Sequence, residues 1–301
     1  MRYVKFMREF FLTFLFLLSI TSLFNFTKAE GRTISLAVLD FGESEVGRIT
    51  ADRFVIRLKA TADISIADRD GAKMAARGAG YNGSLNLSLK EAQDIGAAIG
   101  CDFYLIGDAQ VLRRSTSAKP VYFEGYASIF MVSSRTGKLV LWQRPTFEAD
   151  EPGVAEQRLL AEVSADAFVH RYVTAIQEFV HKDKQQREAV ATSALMIEEA
   201  PADEKDAEAS GLQLPKPYRR LRPPYPATAA RADAEAVVDV VLDLDVRGEV
   251  THAEITRWAG FGLDEATIDT VRQLHFFPAM RSGTAIPIRV LLRYNFRKSA
   301  R

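Results

Sequence analysis

Val238-Asp239-Val240-Val241-Leu242-Asp243-Leu244-Asp245-Val246 decides the reading of the C-terminal part of the chain. Val238, Val240, Leu242, Leu244 and Val246 fall on one side, and Asp239, Asp243 and Asp245 on the other. A period of two with one acidic face predicts a strand that packs on one side and is wet on the other. Arg247-Gly248 supplies a turn, and Ala253 and Ile255 continue on a second strand. Leu263-Asp264-Glu265-Ala266 then opens a helix with Leu263, Ala266, Thr270, Val271 and Leu274 on one side, its first-turn acids suiting the helix dipole. Finally Ile288, Val290, Leu292, Tyr294 and Phe296 alternate with Arg289, Arg293, Asn295 and Arg297. The predicted order is strand–strand–helix–strand, with an edge of the long last strand free to pair.

Upstream of this unit the chain changes character. Residues 198–208 are acidic, residues 215–224 are basic and proline-rich, and beyond Lys182 the large apolar residues thin out. Such segments bury too little to fold alone, so 183–215 reads as a linker, self-repelling in its acidic half and extended in its Pro-rich half.

Further upstream, Ile34-Ser35-Leu36-Ala37-Val38-Leu39-Asp40-Phe41 reads as a strand, 46–60 as a helix and 63–68 as a strand. A glycine-rich loop at 78–83 precedes a helix N-capped by Ser88 with Glu91 completing a capping box. Residues 102–110 form a strand, and 121–133 with 138–142 a hairpin across Ser134-Arg135-Thr136-Gly137. A long helix over 154–180 presents Leu160, Val163, Ala167, His170, Thr174, Ile176 and Val180 as one stripe, widened by Phe168, Tyr172 and Phe179. The class that follows is α/β plus α+β: a mixed-sheet α/β domain ending in a long helix, a linker, then a small ββαβ domain.

Composition sets the outer limits. The 301 residues suit two domains, and 48% hydrophobic content suffices for their cores. Lys+Arg 39 balance Asp+Glu 39, which removes the whole-chain electrostatic case for nucleic-acid binding. One cysteine and four histidines leave little for disulfide frameworks or metal clusters. At the N-terminus Arg2, Lys5 and Arg8 precede a Phe- and Leu-rich run over 10–26 that exits at Thr27-Lys28-Ala29, so residues 1–29 read as a secretory signal or an uncleaved inner-membrane anchor. Membrane contact is expected only through this segment, if it is retained. Export would place Cys101 in an oxidising compartment, as a small buried apolar residue or as an intermolecular thiol. The boundaries are therefore 1–29, 30–182, 183–215 and 216–301.

Several spellings of known motifs fail on chemistry. Gly42-Glu43-Ser44-Glu45-Val46-Gly47-Arg48-Ile49 stands where a phosphate loop belongs, but Arg48 and Ile49 replace the Lys and Ser/Thr, and two glutamates repel phosphate. Gly78-Ala79-Gly80-Tyr81-Asn82-Gly83 follows a helix rather than a strand, so it lacks the setting of a dinucleotide fingerprint. Asp243-Leu244-Asp245-Val246-Arg247-Gly248 with Glu254 almost spells a calcium loop, but Arg247 occupies a ligand position between strands. His170 and His181 lie about 16 Å apart along a helix, too far to share a metal. No catalytic constellation, metal set or cofactor is assigned, and the chain is not expected to be an enzyme.

Pro224-Tyr225-Pro226-Ala227-Thr228-Ala229-Ala230 resembles the Pro-x-Tyr-Pro-x-x-Ala opening of TonB C-terminal domains, with the proline moved next to the tyrosine. Arg247-Gly248-Glu249-Val250, Gly260, Leu263-Asp264-Glu265-Ala266, Phe276-Phe277-Pro278-Ala279 and Gly283 resemble the hairpin, helix and following stretch of that family. Tyr225, Pro226, Gly248, Pro278 and Ala279 carry the likeness. It implies a periplasmic module that pairs the N-terminal box of outer-membrane transporters, or a segment of another envelope protein, as an added strand. The acceptor implied is the last strand: Ile288, Arg289, Val290, Leu291, Leu292, Arg293, Tyr294, Asn295 and Phe296. Its arginines either favour acidic partners or solubilise the face and guard the edge. Residues 10–26 lack the histidine by which TonB couples to its proton-driven motor, and a folded domain replaces the long spacer.

More weakly, residues 32–182 resemble the periplasmic domain of the curli-secretion and penicillin-binding-protein-activator lipoproteins and the TolB N-terminal domain. The likeness rests on Leu36-Ala37-Val38-Leu39-Asp40-Phe41, Ile66-Ala67-Asp68-Arg69, Leu87-Ser88, Ile95-Gly96 and Gly100-Cys101-Asp102-Phe103-Tyr104-Leu105-Ile106-Gly107. The expectation is an exported, non-enzymatic periplasmic adaptor. Two rivals stand beside it: an inner-membrane-anchored energy transducer, and a nucleotide-dependent periplasmic enzyme binding ATP at 42–48.

Overall fold

The computed structural model describes residues 33–60, 64–117, 119–190, 197–201 and 204–298. The Phe-rich run at 10–26 lies outside them. Among the described residues, no helix is long and apolar enough to cross a membrane.

The N-terminal part runs β1 (Ile34–Phe41), α1 (Glu45–Lys59), β2 (Ile64–Ile66), α2 (Arg69–Gly78), α3 (Leu89–Ile99), β3 (Phe103–Arg114), β4 (Tyr122–Ser133), β5 (Leu139–Gln143), β6 (Thr146–Ala149), α4 (Pro152–Val163) and α5 (Asp166–Val190). Its sheet has the order β2-β1-β3-β4-β5, with β6 also on β4. β1 is parallel to β2 and β3, while β4 is antiparallel to β3, β5 and β6. This is the mixed sheet that the alternation of strands and helices predicts. Ser88 caps α3 with the expected reciprocal Glu91 bond.

Alternate residues of β1, β3 and β4 feed two cores. Leu36, Val38, Leu105, Ile129 and Met131 meet Phe54, Leu159, Phe168 and Tyr172 from α1, α4 and α5. Ala37, Leu39, Tyr104, Ile106, Phe130 and Val132 meet Ala72, Ala76, Ala92 and Ile95 from α2 and α3 on the opposite face. Cys101 is buried beside this second core with its sulfur 3.5 Å from Ser134 Oγ, and burial pushes its thiol pKa up.

The single helix expected over 154–180 is two. Ser164 Oγ donates to the Leu160 carbonyl at 2.6 Å, and the chain turns through Ala165 before α5 begins. That back-bonding competes with helix continuation and resets the phase. The buried stripe is Leu159, Val163, Phe168, Val169, Tyr172 and Ile176, while Ala167 and His170 face solvent.

The C-terminal part contains β7 (Glu198–Glu199), α6 (Glu204–Ala209), β8 (Leu212–Gln213), β9 (Lys216–Pro217), α7 (Ala227–Ala232), β10 (Ala236–Leu244), β11 (Val250–Arg257), α8 (Leu263–Val271), β12 (Phe276–Phe277), β13 (Ala279–Arg281), β14 (Thr284–Ile286) and β15 (Ile288–Phe296). The main sheet is β11-β10-β15-β7, with small pairs β12-β9 and β14-β13-β8 beside it. Gly248 holds the β10–β11 turn at φ +81°, and a Cβ there would stand 1.9 Å from the Phe276 carbonyl oxygen. Both the left-handed backbone and the close approach require glycine.

The acidic stretch expected as linker does not run free where it is described. α5 continues to Val190, and Ala207 and Leu212 lie buried with Val240, Leu242, Val271 and Ile288. One small and one large apolar side chain suffice here because the neighbouring module supplies the rest of the core.

The two halves are docked. Trp258, just after β11, is 2% exposed and completes the second core of the N-terminal sheet. Its ring stacks on Phe130 with centroids 5.8 Å apart, and its Nε1–H donates to the Gly137 carbonyl at 2.9 Å. Asn86 spans the junction, donating from Nδ2 to the Val237 and Trp258 carbonyls at 2.8 and 2.7 Å and accepting the Val237 N–H at 3.0 Å. Gly260 passes so close to Phe130 that a Cβ would stand 2.6 Å from the ring, and Phe261 adopts φ 55° wedged against Phe130 and Trp142.

Candidate functional site

β15 pairs along its whole length with β10, from Ala236 opposite Phe296 to Leu244 opposite Ile288. Val238, Val240, Leu242 and Leu244 face Tyr294, Leu292, Val290 and Ile288 on the core side, as the alternation predicts. On its other edge β15 meets only β7, which pairs in parallel at Ile288 and Arg289. Among the described residues no strand pairs with that edge over 290–296. The Ala200 N–H donates to the Arg289 carbonyl at 2.8 Å. Because strand main-chain groups alternate sides, Leu291, Arg293 and Asn295 turn their N–H and C=O groups the same way as Arg289.

The other face of β15 corrects a simple view of its arginines as free cations. Arg293 grips Asp239 through Nε–Oδ1 at 2.7 Å and Nη2–Oδ2 at 2.8 Å. Arg289 grips Asp243 at 2.6 and 2.9 Å in the same fork geometry. Hydrogen bonding to Asp243 raises the Arg289 pKa further above its ordinary value. The carboxylates are 6% and 5% exposed, so the arginine forks neutralise acids the sheet has buried. The acidic side of the β10 pattern is thus paired rather than wet.

Beside the open edge lies a groove of about 690 Å³. Its apolar lining comes from Leu274, Phe276, Leu292 and Tyr294, and its far wall from the extended stretch after β9. Tyr225 also lines it, and the Tyr225 hydroxyl donates to the Ala229 and Ala234 carbonyls at 3.3 and 2.7 Å. Pro226 occupies the N-cap of α7, and Ala279 is buried at the start of β13 next to Pro278. The motif residues therefore shape the module rather than gather at one point: Gly248 meets the Phe276–Pro278 corner, and Tyr225 with Pro226 builds the turn into β10.

The opposite side of the module holds a residue whose role the sequence hides. Asp264, read as a helix-dipole acid, accepts the Ala259 and Gly260 N–H groups at 2.9 and 2.8 Å. It clamps the loop that carries Trp258. Burial pushes its carboxyl up to about 7, with those two amides pulling the other way. Trp258 and Asn86 were equally hidden; the one available signal is a tryptophan directly after a strand in so small a module, a residue type that favours interfaces.

The rejected motifs take ordinary forms. Ser44 Oγ donates to the Ala109 carbonyl at 2.6 Å and accepts the Gly47 N–H at 2.9 Å, while Arg48 pairs with Glu45 and Asp52. Asp108 lies against Gly42, where a phosphate would have to approach. Asp245 accepts the Arg247 and Glu249 N–H groups at 2.8 and 2.9 Å, a turn stabilised by its own side chain. Among the described residues no group of three or more His, Cys, Asp or Glu side chains could hold a metal ion.

Residues 222–297 match the family model described as Gram-negative bacterial TonB protein C-terminal. Comparison with curated proteins finds no match. Among solved structures, the chain is similar to the hypothetical protein CT253 from Chlamydia trachomatis at 10% identity and TM-score 0.32, covering 46% of this chain and 98% of that one. It is similar to the TonB C-terminal domain of Pseudomonas aeruginosa at 19% identity and TM-score 0.26, covering 29% and 89%. It is also similar to the LpoB C-terminal domain of Salmonella enterica at 13% identity and TM-score 0.27, covering 40% and 87%. The family match spans Tyr225, Pro226, Gly248, Pro278, Ala279 and all of β15, so the C-terminal module is TonB-like.

Proposed function

We propose that this chain is an exported, non-enzymatic protein of the cell envelope, working in the periplasm. Its TonB-like module takes an extended segment of an outer-membrane transporter, or of another envelope protein, as a strand added to β15. The observation that carries this reading is the set of outward main-chain groups at Leu291, Arg293 and Asn295. A guest strand would find N–H and C=O partners there with little demand on its sequence, and a groove for its alternate side chains. The paired arginines support the same reading: with their forks held by Asp239 and Asp243, they keep the face polar while leaving the main chain available.

The family match supports the partner class, and the docked N-terminal domain serves as a rigid base. The proposal assigns the module to binding and includes no motor coupling. Titration of the full chain with the N-terminal box peptide of a transporter tests it. The amide signals of Leu291, Arg293 and Asn295 should shift and gain protection from exchange, and a peptide N-methylated at alternate positions should bind at least tenfold more weakly. Unmoved β15 amides in the presence of saturating peptide would overturn the assignment.

A further inference from the structure

We infer that the groove beside β15 selects an acidic extended peptide, and that Arg219, Arg220, Arg222 and Arg297 make the selection rather than the arginines of the strand itself. The inference rests on the reading of β15 as an acceptor edge and adds the chemistry of the guest.

The groove separates two kinds of arginine. Arg289 and Arg293 sit on β15, but each has two guanidinium nitrogens committed to a buried aspartate. Arg219, Arg220, Arg222 and Arg297 also line or rim the groove, are exposed, and have no carboxylate partner among the described residues. Among the described residues, no Asp or Glu lines this groove. Cations just outside the groove do find carboxylates: Lys298 pairs with Asp233 and Arg281 with Glu198. Among the described residues, the charged side chains lining this cleft are all arginines.

The occupant follows from shape and charge together. The apolar lining of Leu274, Phe276, Leu292 and Tyr294 suits the alternate apolar side chains of a β-strand. The arginines on the far wall stand where the guest's other side chains and its solvent edge would lie. An alternating apolar and acidic segment satisfies both. Field focusing by a one-signed cleft would also speed its arrival at low salt.

The test uses the full chain and two short peptides, one alternating Val with Glu and one alternating Val with Gln. The acidic peptide should bind about tenfold tighter, as several exposed ion pairs would give, and the advantage should shrink with added salt. In the variant carrying Arg219→Ser, Arg220→Ser, Arg222→Ser and Arg297→Ser, the two peptides should bind alike, at the level of the neutral peptide on the unaltered chain. Equal binding of both peptides to the unaltered chain would overturn the selection while leaving strand addition standing. Binding of neither would overturn both. A preference that survives in the fourfold variant would place the selection elsewhere and overturn this assignment. Displacement of the acidic peptide by phosphatidylglycerol vesicles that bind the unaltered chain but not the variant would give the arginines to an anionic membrane surface instead, and would likewise overturn it.

Discussion

The two flanks of the C-terminal sheet meet the rest of the chain in different ways. An edge strand carries unpaired main-chain groups that invite any extended chain. At the β11 side the contact lies at the strand's end: Arg257 bridges Ser88, the Trp258 N–H donates to the Leu87 carbonyl at 3.1 Å, Asn86 caps Val237 of β10 where β11 no longer pairs with it, and Trp258 plugs the N-terminal core. At the β15 flank only β7 intervenes, at the first two positions, and beyond it a cleft takes the place of a neighbour. The difference is one of anchoring: the β11 end of the sheet is fastened to the N-terminal domain, while the β15 edge borders a cleft beyond Arg289.

Breaking the anchored flank should cost stability without touching the β15 edge. The largest effect belongs to Trp258→Ala, which should destabilise by about 3–5 kcal/mol because a buried aromatic leaves a cavity in the N-terminal core. Calorimetry should show a lower midpoint with the two halves unfolding separately, while peptide binding at β15 persists. A loss below about 1 kcal/mol would mean that the docking is superficial.

The next effect is pH-dependent. Asp264 is raised in the folded protein to about 7 from an ordinary value of 3.8, so the folded state holds a proton that the unfolded state releases. Its contribution is favourable at low pH, declines as pH rises, and is lost once pH passes about 7. Relative to Asp264→Asn, the unaltered chain should therefore lose on the order of 2–3 kcal/mol between about pH 5 and about pH 8. Urea titrations at the two pH values measure it, and a constant difference would show the carboxyl ionised throughout.

The smallest effect is that of Asn86→Ala, about 1–2 kcal/mol for leaving the Val237 N–H and the Trp258 carbonyl unpaired. Chemical denaturation measures it, and peptide affinity should stay within twofold if the flanks are independent.

Much of the fold was legible because it obeys local periodicities. The alternation in β10 and β15, the Ser88–Glu91 box and the hairpin at 134–137 are all signals carried within a few residues. What escaped was non-local. Nothing near Ser164 announces that its hydroxyl will interrupt a helix, and the acidic composition of 198–208 hides a two-residue strand and a buried Ala207. The site was half legible: alternation located β15, but the commitment of Arg289 and Arg293 to Asp243 and Asp239 depends on a register that only the folded sheet fixes. Trp258, Asn86 and Asp264 act across the junction between halves, where sequence separation removes any pattern.

The Asn86 grip on Val237 has a mechanical side. β15 is bonded to β10 along its full length, so a guest strand pulled parallel to the sheet would load that ladder in shear, many bonds sharing the strain at once. The tension would pass along β10 to Val237, then through Asn86 and the indole of Trp258 into the six-stranded sheet. A tug at the guest would thus be felt by the N-terminal domain directly, through a noncovalent coupling rather than along the intervening chain.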